Sequence, residues 1–409
     1  MSPFRRNLRI VAGVRILDAM LFSIPIITLY WRRNGLDLQD IFWLQAIFAL
    51  SVVVFEIPTG AIGDRLGRKK TLLLSAAITA TGWAVYAWAH TFGQFLFAEV
   101  YLGLGFGFLS GTDTALVYES LEALGEPEAF TRIEGRQYAW HLIAEAVAAL
   151  AGGLMASFLP LQATLLASGV ASLVAFLLCL GITEPQRHVA PHPRGTWYGL
   201  YKVMRFVFLK SEWVRLAVPL MAVCSLGTML GVWLYQPLWE DRHVPLWLFG
   251  ALWAAMAVPA SLASHYAHRL EAWVGKARVL WLLPLPVLIG YPLLGFLPGA
   301  WALGGVYLVP LLRGLNAPLL SQYIHRETFS DKRATVMSIQ SWLFRLSYFA
   351  IGPGVGWLAK HHGLPAAFLA SAAFCGTLFL VFLPPLARKL QKESQGAVEG
   401  QAEPSGSAT

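Results

Sequence analysis

The sequence predicts an all-α membrane protein of twelve transmembrane helices, arranged as two pseudo-symmetric six-helix bundles. Three observations carry that prediction: the scarcity of charge, the length of the apolar runs, and a resemblance between the two halves. Of 409 residues, 56% are hydrophobic and only 13% charged, against about a quarter charged in soluble domains. The chain has too little polar surface to coat a globule in water, so much of its surface faces lipid. About 20 apolar residues cross a bilayer as a helix. Runs of that length fall near 9–31, 41–62, 71–90, 92–117, 138–160 and 163–183, then near 212–237, 246–268, 277–297, 301–323, 334–359 and 364–386. Membrane β-strands alternate in polarity over about ten residues, and these runs do not.

The first six runs form an expected bundle over 1–183 and the second six over 212–386. Between them, 184–211 is a hydrophilic cytoplasmic loop whose second part, WYGLYKVMRFVFLK, mixes aromatics and bases as an interfacial helix does. Residues 387–409 have the composition of a disordered cytoplasmic tail. "VYLGLGFGFLSGTDTALVYESL" in the fourth run sits against "VYLVPLLRGLNAPLLSQYIHRE" in the tenth, which implies a structural repeat with a substrate site between the repeats.

Orientation follows from Lys and Arg. With both termini inside, the cytoplasmic segments hold Arg5, Arg6 and Arg9, the Arg65–Lys70 cluster, Arg132, Arg136 and most later bases. The opposite side has only Arg32, Arg33, Arg242 and Lys360. Both termini are therefore expected in the cytoplasm. The net charge of +8 is scattered through short loops, which argues against a nucleic-acid partner.

The turn after the second run reads GAIGDRLGRKK, from Gly60 to Lys70. It resembles the signature between spans two and three of the major facilitator superfamily: Gly, three residues, Asp, a base, a bulky residue, Gly, Arg, a base. "TEP" (Thr183–Pro185) looks like that family's exit from span six. "FEIPTGAIGDRLGR", "SGTDTALVYESLEALG" and "RATVMSIQSWLFRL" are similar to a bacterial branch known as drug or small-molecule efflux permeases. Drug–proton antiporters of that family commonly place an Arg four residues before a Gly in span four, where this chain has Glu99 before Gly103. They also carry Gly-Pro-x-x-Gly-Gly in span five, where this chain reads AALAGG. The resemblance implies alternating access, with Gly60, Asp64, Arg65, Gly67, Arg68 and Lys69 as a gating motif. In it, Asp64 caps or pairs with a neighbouring helix. A proton gradient is the expected driving force, with no cofactor. A monomer suffices for this fold.

Charges inside spans are functional candidates by default. Arg15 and Asp18 share a helical face, either as a self-satisfied pair or with Asp18 lining the cavity and Arg15 tuning it. His141 and Glu145 stand i, i+4 and form a possible proton relay or two structural contacts. Glu56 and Asp113 fall in the cytoplasmic third of their spans, as inner-gate or structural partners and as further proton-coupling candidates. Glu119 reads as a solvated helix end. Arg313 and Arg345 lie mid-span in a half with no acid inside its spans. They either pair across the halves with Asp18, Glu99 or Glu145, or bind an organic anion in an uptake carrier. Asn316, Gln340 and Trp342 would add neutral recognition groups. Trp233, Tyr235 and Trp239 wall an outer vestibule or form an interfacial belt.

Other chemistry is disfavoured. GLGFG (103–107) lies inside a span and reads as close helix packing, and no Walker loop is present. Cys179, Cys224 and Cys375 sit in apolar runs as small hydrophobes, and His361 and His362 lack a convincing third metal ligand. No nucleophile–base constellation marks an enzyme. A sensor or scaffold that retains the fold without moving solute is the rival of another class.

Overall fold

The computed structural model describes residues 2–185, 205, 212–297, 301–327 and 330–402. Most of the 184–211 connection, including the expected interfacial helix, lies outside the described residues, as do 403–409 of the tail. Every regular element among the described residues is helical. In chain order these are α1 (Pro3–Ala19), α2 (Ile27–Arg33), α3 (Leu38–Leu66), α4 (Arg68–Ala87), α5 (Phe92–Leu109), α6 (Thr112–Glu122), α7 (Phe130–Phe158) and α8 (Gln162–Leu180). They continue as α9 (Glu212–Asp241), α10 (Leu246–Ala255), α11 (Ala257–Val274), α12 (Lys276–Val279), α13 (Leu285–Phe296), α14 (Trp301–Val306), α15 (Val309–Glu327) and α16 (Ser330–Ala402). Nine helical stretches among the described residues are long and apolar enough to cross a membrane. Helix also lies over each of the twelve apolar runs, because α16 turns sharply at Gly363, where φ is 82°.

The chain forms two compact units. The first comprises Met1–Tyr201, Val232–Ala257 and Arg345–Leu364; the second comprises Lys202–Gly231, Val258–Phe344 and Pro365–Thr409. The first unit thus takes in two pieces of the later half of the sequence. Its core packs Val11 and Val14 of α1, Leu72 and Ala76 of α4, Leu116 and Leu121 of α6, and Cys179 of α8. Lipid tails are as apolar as these side chains, so close packing and internal hydrogen bonds hold such a bundle together. In the first unit, α7 meets α10 at Gly153 and Gly250, where a Cβ on Gly153 would stand 2.6 Å from the Gly250 nitrogen. The AALAGG stretch therefore serves as a close helix crossing. In GLGFG, Gly103 and Gly107 face α3 while Gly105 faces α4, as expected for helix packing.

Several expected spans break into pieces, and two of the breaks place functional side chains. The first ends as α1 at Ala19, passes through a 3-10 turn at Ile24–Ile26, and resumes as α2. The fourth breaks at Gly111, whose φ of 74° separates α5 from α6 and lets Asp113 and Thr114 face α1. Capping is explicit at the α3 start, where Asp37 and Asp40 form a reciprocal capping box.

In the second unit, Asn316 of α15 donates to the Met221 carbonyl of α9 at 3.3 Å, and Gln340 of α16 donates to Ser225 at 3.3 Å. Glu271 of α11 is buried and accepts from Gln322 at 3.2 Å. It corrects the expectation of no acid within the later spans. A second correction concerns the tail. Helix α16 continues to Ala402, with Ala387 and Leu390 buried and Lys389 paired with Glu212 over the Trp213 ring. The alternation of apolar and basic residues in ARKLQK buries one face and solvates the other.

Gly67 joins α3 to α4 with φ 99° and ψ 156°, a region open essentially to glycine. A Cβ there would also stand 2.8 Å from a Glu184 oxygen. Gly67→Ala is expected to lower stability by about 1–3 kcal/mol, read as thermal unfolding in detergent. Gly60→Ala, with nothing within 4 Å of its Cβ, is expected to leave stability unchanged or slightly raised.

Candidate functional site

A guanidinium stays charged wherever it is placed, so an Arg inside a span must be met by fixed acceptors. Arg15 is met on all sides. Its Nε donates to Asp113 Oδ2 at 2.6 Å, and its Nη1 donates to Glu134 Oε1 at 2.9 Å and Gln137 Oε1 at 2.8 Å. Its Nη2 donates to Thr114 Oγ1 at 2.9 Å. The Arg15 side chain is only 13% exposed. Three helices, α1, α6 and α7, are thereby tied through one side chain. This corrects the Arg15–Asp18 pairing: two carboxylates and an amide on neighbouring helices take the guanidinium, although Asp18 stands one turn away. It also makes Asp113 the structural partner of Arg15. His141 stacks on Tyr138, with its Nδ1 3.3 Å from the Arg15 carbonyl oxygen.

The gating turn is organised around Arg68. Its guanidinium bonds Glu119 at 2.9 Å and Asp64 at 3.2 Å. Glu184 accepts from the backbone amides of Arg68 at 2.7 Å and Lys69 at 2.9 Å, placing a carboxylate on the positive end of α4. Asn7 holds the residue before it, accepting from the Thr183 amide at 2.9 Å and donating to the Thr183 carbonyl at 2.7 Å. Glu119 is therefore not a solvated helix end. Arg65 and Gly60 are exposed.

Glu99 is 4% exposed and lies among α2, α3, α4 and α5. Gln45 Nε2 and the Tyr86 hydroxyl both donate to its Oε1, at 2.6 and 2.8 Å, while Trp31 Nε1 donates to that hydroxyl at 2.7 Å. Glu99 is thus a buried acceptor of two neutral donors.

At the opposite end of α3 from the gating turn, pieces of the later sequence close on the first unit. Lys360 pairs with Asp37 at 2.6 Å, and Arg32 pairs with Glu240. Gln236 accepts from the Thr28 amide and donates to the Ile24 carbonyl, both at 2.8 Å. Trp233 lies against Trp31 with ring centres 5.5 Å apart. Trp233, Tyr235 and Trp239 are 5%, 2% and 1% exposed. They are packed core rather than a vestibule wall or lipid-facing belt, because α9 presents that face to α2 and α10. Burial works to raise the pKa of Asp37, but the Lys360 ammonium and the Asp40 amide outweigh it and hold the carboxyl below its ordinary value.

Of the remaining candidates, Arg345 lies within Coulombic reach of Glu56, which also accepts from Ser110 at 3.4 Å. Glu56, which the sequence did not suggest for this side chain, is thus one acid near Arg345. Glu145 is half-buried on α7. In the second unit, Asn316 also donates toward Ser225 at 3.4 Å, Trp342 is buried and Arg313 is exposed. Glu134, Gln137, Gln45, Tyr86 and Ser225 escaped the sequence reading. The i, i+3 spacing of Glu134 and Gln137 was the available signal for that pair.

Arg15→Gln leaves Asp113 and Glu134 without their cation and is expected to cost about 3–5 kcal/mol. Arg15→Lys, with three donors on a point charge, is expected to recover only part of that loss. Thermal unfolding in detergent compares the two.

Comparison with known proteins agrees with this architecture. The sequence model of the Major Facilitator Superfamily matches residues 10–348. A class G tetracycline resistance protein of Vibrio anguillarum is 25% identical over 364 residues, covering 84% of this chain and 86% of that one. The crystal structure of the nucleoside transporter NupG superposes with a TM-score of 0.73 at 13% identity, covering 94% of this chain and 98% of that one. A bacterial homologue of the human lysosomal transporter Spinster, inward-facing and unoccupied, superposes with a TM-score of 0.74 at 15% identity over 96% of this chain and 98% of that one. At such identities the two structural likenesses are of fold. With helix over every apolar run and the family sequence model matching from residue 10 to residue 348, this multi-pass membrane chain belongs to the Major Facilitator Superfamily.

Proposed function

We propose that the protein is a twelve-span secondary transporter that exports small amphipathic compounds by alternating access, driven by the proton gradient. It works as a monomer in a bacterial inner membrane with both termini in the cytoplasm, and needs no cofactor and no nucleic-acid partner. The observation that carries this reading is the pair of ion-pair clusters at the two ends of α3. One centres on Arg68 with Asp64 and Glu119. The other joins Asp37 and Arg32 to Lys360 and Glu240 from the later half of the sequence. The Asp37–Lys360 and Arg32–Glu240 pairs are half-exposed, and pairs near water separate and re-form at small net cost. They suit contacts that are broken once per cycle. In this reading closure at one end must yield before solute passes that way, and the Asp64–Arg68 contact belongs to the other end.

Export is the direction favoured by the relative named for tetracycline resistance, which spans most of both chains. Uptake of an organic anion held by Arg313 or Arg345 is the second reading. Arg345 has Glu56 within Coulombic reach, and Arg313 is exposed on α15. An Arg313→Ala variant that loses binding of anions alone, with the protein still folded, favours uptake. A membrane sensor or scaffold predicts no change in spin-label distances between the two ends on addition of any solute.

In proteoliposomes with an imposed pH gradient, tetracycline or a fluorescent lipophilic cation is expected to move against proton flow. If neither these nor a broader panel of drugs moves, and a pH dye reports no counterflow, the reading fails. Lys360→Asp is expected to open the Asp37 end, read as faster cysteine labelling there, and Asp37→Lys in the same chain is expected to restore closure. Because the Asp37 pKa is lowered in the closed state, its contribution is complete above the ordinary aspartate value. It is lost as pH falls through the lowered one. Labelling at this end is expected to rise on acidification below the ordinary aspartate range and to stay flat above it.

A further inference from the structure

Asp18 is the one acid of α1, and no hydrogen-bond donor among the described residues reaches its carboxyl group. It lines a cavity of about 10 Å³ between α1, α4 and α8, room for a single water at most. The other polar groups of that cavity are the hydroxyls of Ser75, Thr79 and Ser172, and the rest of the lining is apolar. This places Asp18 inside the first unit.

The hydrogen-bond directions decide what such a pocket can hold. A hydroxyl has one proton to give. Ser75 Oγ gives its proton to the Gly105 carbonyl at 2.9 Å, Thr79 Oγ1 to the Ser75 carbonyl at 2.9 Å, and Ser172 Oγ to the Ser168 carbonyl at 3.1 Å. All three oxygens therefore offer the cavity lone pairs only. An ionised carboxylate offers lone pairs as well. Four acceptors thus line one small pocket with no proton between them.

The charged groups nearby do not repair this. Arg15, one turn back on α1, is committed to Asp113 and Glu134. Asp113 of α6 acts on Asp18 as a like charge. On α7, His141 lies by the Arg15 carbonyl and Glu134 on the guanidinium. On α8 the titratable neighbour is Cys179, buried in the apolar core, and α4 contributes only hydroxyl and apolar side chains to the lining.

We propose that this cavity is a proton-binding site in which Asp18 is held as the neutral acid at neutral pH. Its hydroxyl proton is directed at the oxygens of Ser75, Thr79 and Ser172, directly or through one water. Protonation turns the single misfit in the set into the missing donor. Release requires α1 to move against α4 and α8 until a donor or bulk water reaches the carboxylate, which ties the proton to helix movement. The assignment deepens the proton-driven reading above and rests on it for its role in transport, while the occupancy of the site stands apart from it. A sodium ion is the other occupant that an all-acceptor set could hold; the apolar majority of the lining and the single-water volume favour the proton.

Infrared spectroscopy of the purified full-length protein in nanodiscs tests the occupancy without any transported solute. At pH 7 a protonated-carboxyl stretch that shifts in D2O is expected, and it is expected to vanish in Asp18→Asn. Asp113→Asn, which removes the like charge, is expected to let the band disappear at lower pH than in the parent protein. Asp18→Asn is expected to unfold at nearly the parent temperature at pH 7, since an amide replaces a neutral acid. Absence of the band at pH 7, with the parent protein folded, overturns the proposal. So does its loss on replacing potassium chloride by sodium chloride at constant ionic strength, which assigns the cavity to sodium. If the band is present and parent proteoliposomes show no proton counterflow, the site stands and the proton-driven reading fails. If counterflow is seen and persists in Asp18→Asn, the site's role in coupling is overturned.

Discussion

A guanidinium that cannot give up its proton, set within a bilayer-crossing bundle, dictates much of the first unit. Arg15 must be surrounded by acceptors, and no single helix can supply them. The solution draws Asp113 and Thr114 from α6 and Glu134 and Gln137 from α7. Gly111 follows from this constraint. Its positive φ redirects the chain after α5 so that the first turn of α6 can face α1. The Gln137 amide then reaches on to the Leu8 carbonyl at 3.1 Å and fixes α7 against the start of α1. Helix order in this unit is as much a matter of satisfying one charge as of packing apolar faces.

The same logic separates charges that hold the fold from charges that can act. Glu99 accepts from Gln45 and from Tyr86, and Tyr86 accepts in turn from Trp31. It sits where movement would break several bonds at once. The Asp37–Lys360 pair is half-exposed, and each partner keeps access to water. Exposed pairs contribute little to stability, and that weakness fits a contact made and broken in a cycle. Asp18 belongs to neither group, with its cation committed elsewhere and its polar neighbours turned away.

Much of the fold was legible in the sequence because run length in a membrane protein is a direct measure of a helix. The apolar runs fell where helices lie, and GDRLGRKK marked the turn at Gly67. The breaks were not legible. Nothing in "RILDAMLFSIP" announces that α1 stops at Ala19, since a membrane helix tolerates Pro25 when neighbours satisfy the backbone. Side-chain partners were less legible still. Arg15 and Asp18 stand three apart, and sequence spacing pairs them; a long side chain reaches other helices, and only tertiary structure says which. Glu119 looked solvated because its partner, Arg68, is far away in sequence. Glu184 was seen as the end of a helix and not as the cap of another. Trp233, Tyr235 and Trp239 show the converse case, where an aromatic cluster near a helix end has the same composition whether it faces lipid or protein.

The Glu184 cap has a consequence for how the protein is made. Arg68 and Glu184 stand 116 residues apart in the chain. Ribosomes add about 5–20 residues per second, so the start of α4 emerges on the order of ten seconds before its carboxylate exists. During that interval the first amides of α4 lack this partner and must be served by water at the membrane face. The basic cluster Arg68–Lys70 keeps that turn out of the hydrocarbon while it waits. The charges that fix the turn on its side of the membrane thus act first, as a holding device for a helix end that only the sixth span can complete.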